Sequence, residues 1–432
     1  MFFLQDNHSL SLRSGDTSFR IFFFLTIILL LCNIVFTLLD VEAYSTYAGY
    51  AISDYMINYQ AGFVRRGLLG ELLLQCFRLV PFPLYKFIVW FDLIIFITFV
   101  GFSLRIYRKM MWIPIVPFIF IIGKITLYRR DFLMLFLAYF SFFWLFKFLR
   151  TRKIPALALS TIISVISILI YEPSFFFIVP VSIVLYWSSI SPIASCAKRL
   201  GKTFLVFLLP LVSMILVCFF NGDASASHTI FKSWQPLFDY SNVIPDEDSV
   251  LGLSFMVKTT PDVIIDHLNK NFGFEVEKTF FDPLLVVGFF VFAICFYYLS
   301  VWISCKKISK IEQDKQLISE LYIFQFICLS PMFSVLSCDF GRTILYVVFS
   351  TLFIVYLMRE NNRFLHIPIV RSLSSFILCK ATKFNWLNNS WIYFLVIVIT
   401  PFQRWFGTPL FHNFIQEYFD MLEPLKSYLG LC

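Results

Sequence analysis

The sequence predicts an all-α, polytopic integral membrane protein with about 11 transmembrane helices, its N-terminus inside and its C-terminus outside. Three observations predict it. Apolar residues make up 59% of the 432-residue chain and charged residues only 14%, a balance that no soluble domain of this size shows. Most of the apolar residues fall in unbroken runs of about 17–25, the length that crosses a bilayer as a helix, and the third and last runs are short. Between those runs, every second connection is rich in Lys and Arg.

In order, the predicted spans are 19–39, 84–104, 112–128, 131–149, 155–171, 174–190, 203–221, 283–304, 319–338, 343–358 and 388–401. Arg13 and Arg20 precede the first and place the N-terminus inside. Its apolar core exceeds the roughly 7–15 residues of a cleaved signal, so it is read as an uncleaved helix. Arg105, Arg108 and Lys109 then fall inside. So do Lys147, Arg150, Arg152 and Lys153, the trio Lys198, Arg199 and Lys202, and the trio Lys306, Lys307 and Lys310. The chain divides into a cytoplasmic segment (1–18), a single transmembrane domain (19–401) and an amphipathic outer-face tail (402–432). Within the domain, 40–83 and 222–282 are long outer loops, and 359–387 is a basic inner stretch suited to anionic lipid. In the first outer loop, Glu71, Gln75 and Arg78 form a polar stripe on an otherwise leucine-rich helix expected at the membrane interface.

Several function classes are excluded. The net charge of +8 sits in short clusters between spans, where it sets orientation, so no nucleic-acid partner is expected. Unbroken apolar runs argue against an outer-membrane barrel. The 10 cysteines include no CxxC motif, and the dispersed histidines have no ligand spacing. Asp246-Glu247-Asp248 reads as a solvated run, and neither metal nor cofactor is expected.

Four polar motifs interrupt the apolar chain, and all four fall on the predicted outer side. They are Gly62-Phe63-Val64-Arg65-Arg66-Gly67, Tyr128-Arg129-Arg130-Asp131, Tyr171-Glu172-Pro173 and Cys338-Asp339-Phe340-Gly341-Arg342. Arg65, Arg66, Arg129, Arg130 and Arg342 thus break the orientation rule that the rest of the chain obeys. Charge at membrane depth is expensive and is kept for function, and arginine clusters of this kind suit phosphate. The competing reading is local: pairing of these arginines with Asp131, with Asp339 or with lipid headgroups. Glu172, just before Pro173 at a hairpin tip, could equally face water.

The acidic Asp54 in the first outer loop, joined to the Arg65-Arg66 motif, resembles the GT-C class of membrane glycosyltransferases. The four motifs together also resemble membrane proteins encoded among bacterial polysaccharide-assembly genes. The resemblance spans residues 19–401 and implies a polyprenyl-phosphate-linked sugar donor and a glycan or lipid-linked glycan acceptor, used amid membrane lipids at the outer face of the bacterial cytoplasmic membrane. It implies Asp54 as general base, with Asp40 at the end of the first span as rival. Arg65, Arg66, Arg129, Arg130 and Arg342 would bind the donor phosphate. Asp131, Glu172 and Asp339 would orient those arginines or hold sugar hydroxyls. Asp54 has a second reading as a loop acid or helix cap. Two other functions stay open: an O-antigen-type polysaccharide polymerase, and a transporter or flippase of lipid-linked glycans.

Overall fold

A computed structural model describes Leu31 and residues 53–80, 83–110, 130–190, 195–237, 258–259, 261–266, 312–333, 336, 340–358 and 367–381. The expected spans 112–128, 283–304 and 388–401, and all but Leu31 of 19–39, lie outside these residues. The described residues are mostly helical and contain no strand. Their helices are α1 (Gly67–Leu79), α2 (Leu84–Met110), α3 (Asp131–Thr151), α4 (Ile154–Ile170), α5 (Ser174–Ser189), α6 (Cys196–Phe219), α7 (Ala224–Trp234), α8 (Glu312–Cys328), α9 (Phe340–Met358) and α10 (Pro368–Ala381). Three contain stretches long and apolar enough to cross a membrane: Lys86–Ser103 in α2, the whole of α3 and the whole of α6. At 17 residues, α4 spans about 25 Å at 1.5 Å per residue and is a shorter apolar helix.

The bundle is built around the α3–α4 hairpin. α4 carries Ala156, Ser160 and Ser164 four residues apart, one small face on which the larger side chains of α3 close in. Ser160 donates to the Ser141 carbonyl at 2.8 Å, and the Ser141 and Ser164 hydroxyls meet at 2.9 Å. α2 and α9 pack on other faces of α3 through rings. Phe99 meets Phe349 edge-on at 4.9 Å, and Phe96 meets Phe132 at 5.0 Å, an arrangement that adds to simple burial. α5 packs on α3, α4, α6 and α8, and α6 leans on α4 and α5. The outer face of α6 exposes Leu205, Leu209, Val212, Leu216 and Phe219, an apolar surface that suits hydrocarbon.

Several expected boundaries shift, among them the end of α2, at Met110 in place of 104. α6 begins at Cys196, seven residues before its expected start, because Ser195 caps it by accepting from the Lys198 amide. The expected span 319–338 is instead helical from Glu312 and ends at Cys328, with a 3-10 turn, Ser330–Phe333, around Pro331. The polar loop 222–282 begins with α7, whose Ile230, Phe231 and Trp234 are buried. The basic stretch 359–387 contains α10, packed on α8, and exposes Ile369, Leu373 and Phe376.

Candidate anion site at one end of the bundle

The segment leading into α1 is a tight loop. Asp54–Met56 form a 3-10 turn, the chain reverses through Gly62 at φ 97°, and Arg66 takes the left-handed φ of 63° just before the helix. A Cβ on Gly70 would lie 2.0 Å from the Ile57 carbonyl oxygen, and one on Gly67 would lie 2.3 Å from the Tyr59 ring. Only glycine lets the 55–59 backbone lie this close on the first turn of α1. The polar stripe of α1 holds the loop. Glu71 accepts from the Tyr59 amide at 3.0 Å and from Gln60, and Arg78 donates to Gln60 at 3.1 Å. Trp234 of α7 donates its indole N–H to the Met56 carbonyl at 2.8 Å.

This loop brings Asp54 and Arg66 to the α4–α5 connection and to the start of α3. Arg66 grips Glu172 in bidentate fashion, Nη2 to Oε1 at 2.6 Å and Nε to Oε2 at 2.9 Å. Its Nη1 reaches Asp54 Oδ1 at a long 3.4 Å. Asp54 Oδ2 lies 2.6 Å from Arg130 Nη2, a charge contact in which the buried N–H is not aligned on the oxygen. Arg130 also donates through Nη1 to the Ile170 carbonyl at 2.9 Å. The Tyr171 ring lies under both guanidinium groups, 5.0 Å from Arg66 and 5.4 Å from Arg130. The order Glu172–Arg66–Asp54–Arg130 is therefore one alternating network. Arg130 is 4% exposed, and the other three side chains are 16–19% exposed, so water reaches only an edge of it.

The charges hold one another in the ionised state. Burial alone would push the Glu172 pKa up; the adjoining Arg66 charge and hydrogen bonds, helped by Arg65, outweigh it and hold the carboxyl at about 2. Burial opposes the charge on Arg66, yet Glu172 and then Asp54 raise its pKa well above the ordinary value. Arg65 behaves differently. Its amide donates to the Phe220 carbonyl at 2.8 Å and its Nη2 to the Lys258 carbonyl at 3.2 Å, and burial lowers its pKa against the opposing pull of Glu172. The left-handed turn at Arg66 separates the two neighbours.

A second polar layer lies beneath. Tyr55, beside Asp54, donates its hydroxyl to Asp92 of α2, 2.7 Å from both carboxylate oxygens. Asp131, at the start of α3, accepts from Tyr346 of α9, whose ring stacks on Phe177 of α5 at 4.6 Å. Asp92 and Asp131 are both buried. The motif reading passes over Asp92, Tyr55 and Tyr346, and gives Tyr171 no role of its own. Asp92 alone has a sequence signal, being the lone carboxylate in its apolar run.

Of the residues singled out from the motifs, Asp54, Arg66, Arg130 and Glu172 form the network, Arg65 adjoins it and Asp131 sits one layer down. Glu172 is turned to Arg66 and not to water. Asp40, Arg129 and Asp339 lie outside the described residues. Arg342 stands in the first turn of α9, and its side chain lies outside the description. Among the described residues no group of three His, Cys, Asp or Glu side chains could hold a metal ion. No protein-family model matches the chain, and neither does any curated protein or solved structure.

Proposed function

We propose that this protein is a membrane glycosyltransferase of GT-C type. It moves a sugar from a polyprenyl-phosphate-linked donor to a cell-envelope glycan acceptor at the outer face of the bacterial cytoplasmic membrane. The observation that carries the reading is the Glu172–Arg66–Asp54–Arg130 network at one end of a bundle of apolar helices. Sugar transfer from a lipid phosphate needs a base for the acceptor hydroxyl and cations where the phosphate departs. One carboxylate between a buried guanidinium group, that of Arg130, and a largely covered one, that of Arg66, supplies both. In this reading, Asp54 accepts the hydroxyl proton as the acceptor oxygen bonds to the anomeric carbon. The sugar–phosphate C–O bond breaks, its electron pair leaves with the phosphate, and Arg66 and Arg130 stabilise the new charge. Asp92 fixes the turn that carries Asp54 through Tyr55. The accompanying topology has about 11 spans, with the network outside and the basic connections inside.

The test is mass spectrometry of lipid-linked and surface glycans after gene deletion, with restoration by wild type or Asp54→Asn. A glycan lacking one sugar or side branch, repaired by wild type alone, supports the transferase. Accumulation of complete single repeats replaces it with a polymerase. An unchanged glycan profile sinks both and favours a transporter.

A further inference from the structure

We infer that the Asp54 carboxylate stands in for a phosphate group, and that an incoming phosphate enters by exchanging with it on Arg66 and Arg130. The inference deepens the function proposed above and rests on it for the identity of the ligand. It is carried by a difference in how the two arginines are held. Each has one firm partner: Arg66 has the bidentate Glu172, and Arg130 has the aligned bond to the Ile170 carbonyl. Tyr171, flanked by Glu172 and Ile170 in the chain, braces both from below. Asp54 is the shared partner, and its contacts are the poorer ones, 3.4 Å to Arg66 and an unaligned charge contact to Arg130.

The backbone of Asp54 is fixed on both sides, by the Tyr55–Asp92 bond and by Trp234 on the Met56 carbonyl. Exchange therefore moves the Asp54 side chain and leaves its backbone in place. The phosphate of a lipid-linked sugar is a diester whose two non-bridging oxygens share the charge and splay tetrahedrally from phosphorus, so one can face the N–H groups of each arginine. Released from the arginines, the carboxylate stays beside the phosphate, where the acceptor hydroxyl must lose its proton. The arrival of the donor thereby frees the base.

Glu172 and Asp54 carry the same charge and both touch Arg66, yet exchange gives them opposite effects on anion affinity. The experiment is binding of inorganic pyrophosphate to the purified full-length protein in detergent, by calorimetry. Asp54→Asn binds at least about tenfold more tightly than wild type, because the competitor is gone. Glu172→Gln binds more weakly, because Arg66 loses its brace. Arg130→Gln abolishes binding in either background. Asp54→Ser is a second variant without the carboxylate, with the same expected gain. If Asp54→Asn binds no better than wild type, or if Glu172→Gln tightens binding as much as Asp54→Asn does, the exchange is wrong and only net charge matters. Repeating the series with a polyprenyl monophosphate and with phosphatidylglycerol separates the sources of phosphate. The same pattern confined to phosphatidylglycerol keeps the exchange and sinks the transferase.

Discussion

At one end of the bundle Arg66 and Arg130 are held by the carboxylates of Glu172 and Asp54. At the other, Arg150, Arg152 and Arg199 donate to the carbonyls of Leu357, Ser189 and Trp187, at the C-terminal ends of α9 and α5. Arg152 and Arg199 also lie over the rings of Phe148 and Trp187. Helix C-termini carry orphan acceptors and partial negative charge, so a cation there satisfies what any helix end leaves over. The first end has no such simple account. Arg130 does meet one such acceptor, the Ile170 carbonyl at the end of α4, but Arg66 and Arg130 stand at the starts of α1 and α3 and are neutralised by acids brought from distant parts of the chain. Desolvating two ion pairs costs more than a surface pair returns, so the network is weak evidence of a stabilising role.

The comparison can be broken most easily by removing one cation from each end. Arg66→Ala should abolish glycan transfer and cost about 3–5 kcal/mol in unfolding free energy, since Glu172 is left charged and partly buried. Thermal unfolding in detergent beside the glycan assay checks both. An equal loss from Arg152→Ala would erase the distinction between the two ends. Gly70→Ala should cost about 1–3 kcal/mol through the clash with the Ile57 carbonyl, with activity falling as the Asp54 turn moves. If that variant keeps wild-type transfer, the loop does not position the base.

Acid titration sharpens the difference. Glu172 titrates at about 2 in the folded protein against an ordinary 4.5. Its contribution to stability is full above the ordinary value and disappears as pH falls from there through about 2. Glu172→Gln should therefore flatten that part of the stability–pH curve, measured by denaturation between pH 6 and about 2. Retention of the full acid slope would assign it to other carboxylates. The smallest effect belongs to Arg199→Ala, at about 1 kcal/mol with transfer unchanged, because a carbonyl at a helix end can turn to water or a lipid headgroup.

Much of the helical plan could be read from apolar run length, as the start of α3 and both ends of the α4–α5 hairpin show. Starts such as Cys196 and Glu312 could not, because capping and tertiary packing extend a helix into polar sequence that hydropathy ends early. In the site, tandem Arg65 and Arg66 look equivalent in sequence. Their separation depends on a left-handed backbone angle at Arg66, which a non-glycine residue rarely adopts and no motif announces. Asp131 reads as a partner for the neighbouring arginines, yet it is within reach of Tyr346, 215 residues further on, a pairing that only the packing of α9 on α3 creates.

The bond between Tyr55 and Asp92 also bears on biogenesis. In the proposed topology, the loop carrying Tyr55 crosses the bilayer before the helix carrying Asp92 leaves the translocon, since the tyrosine is made 37 residues earlier. A carboxylate in an emerging helix is a penalty at insertion. Here the hydroxyl that satisfies it would already be on the far side, opposite a carboxylate about two turns from the start of α2. In that topology Tyr55 would receive the carboxylate of a nascent helix, and the contact that holds the 55–59 turn would be among the first long-range contacts the growing chain can make.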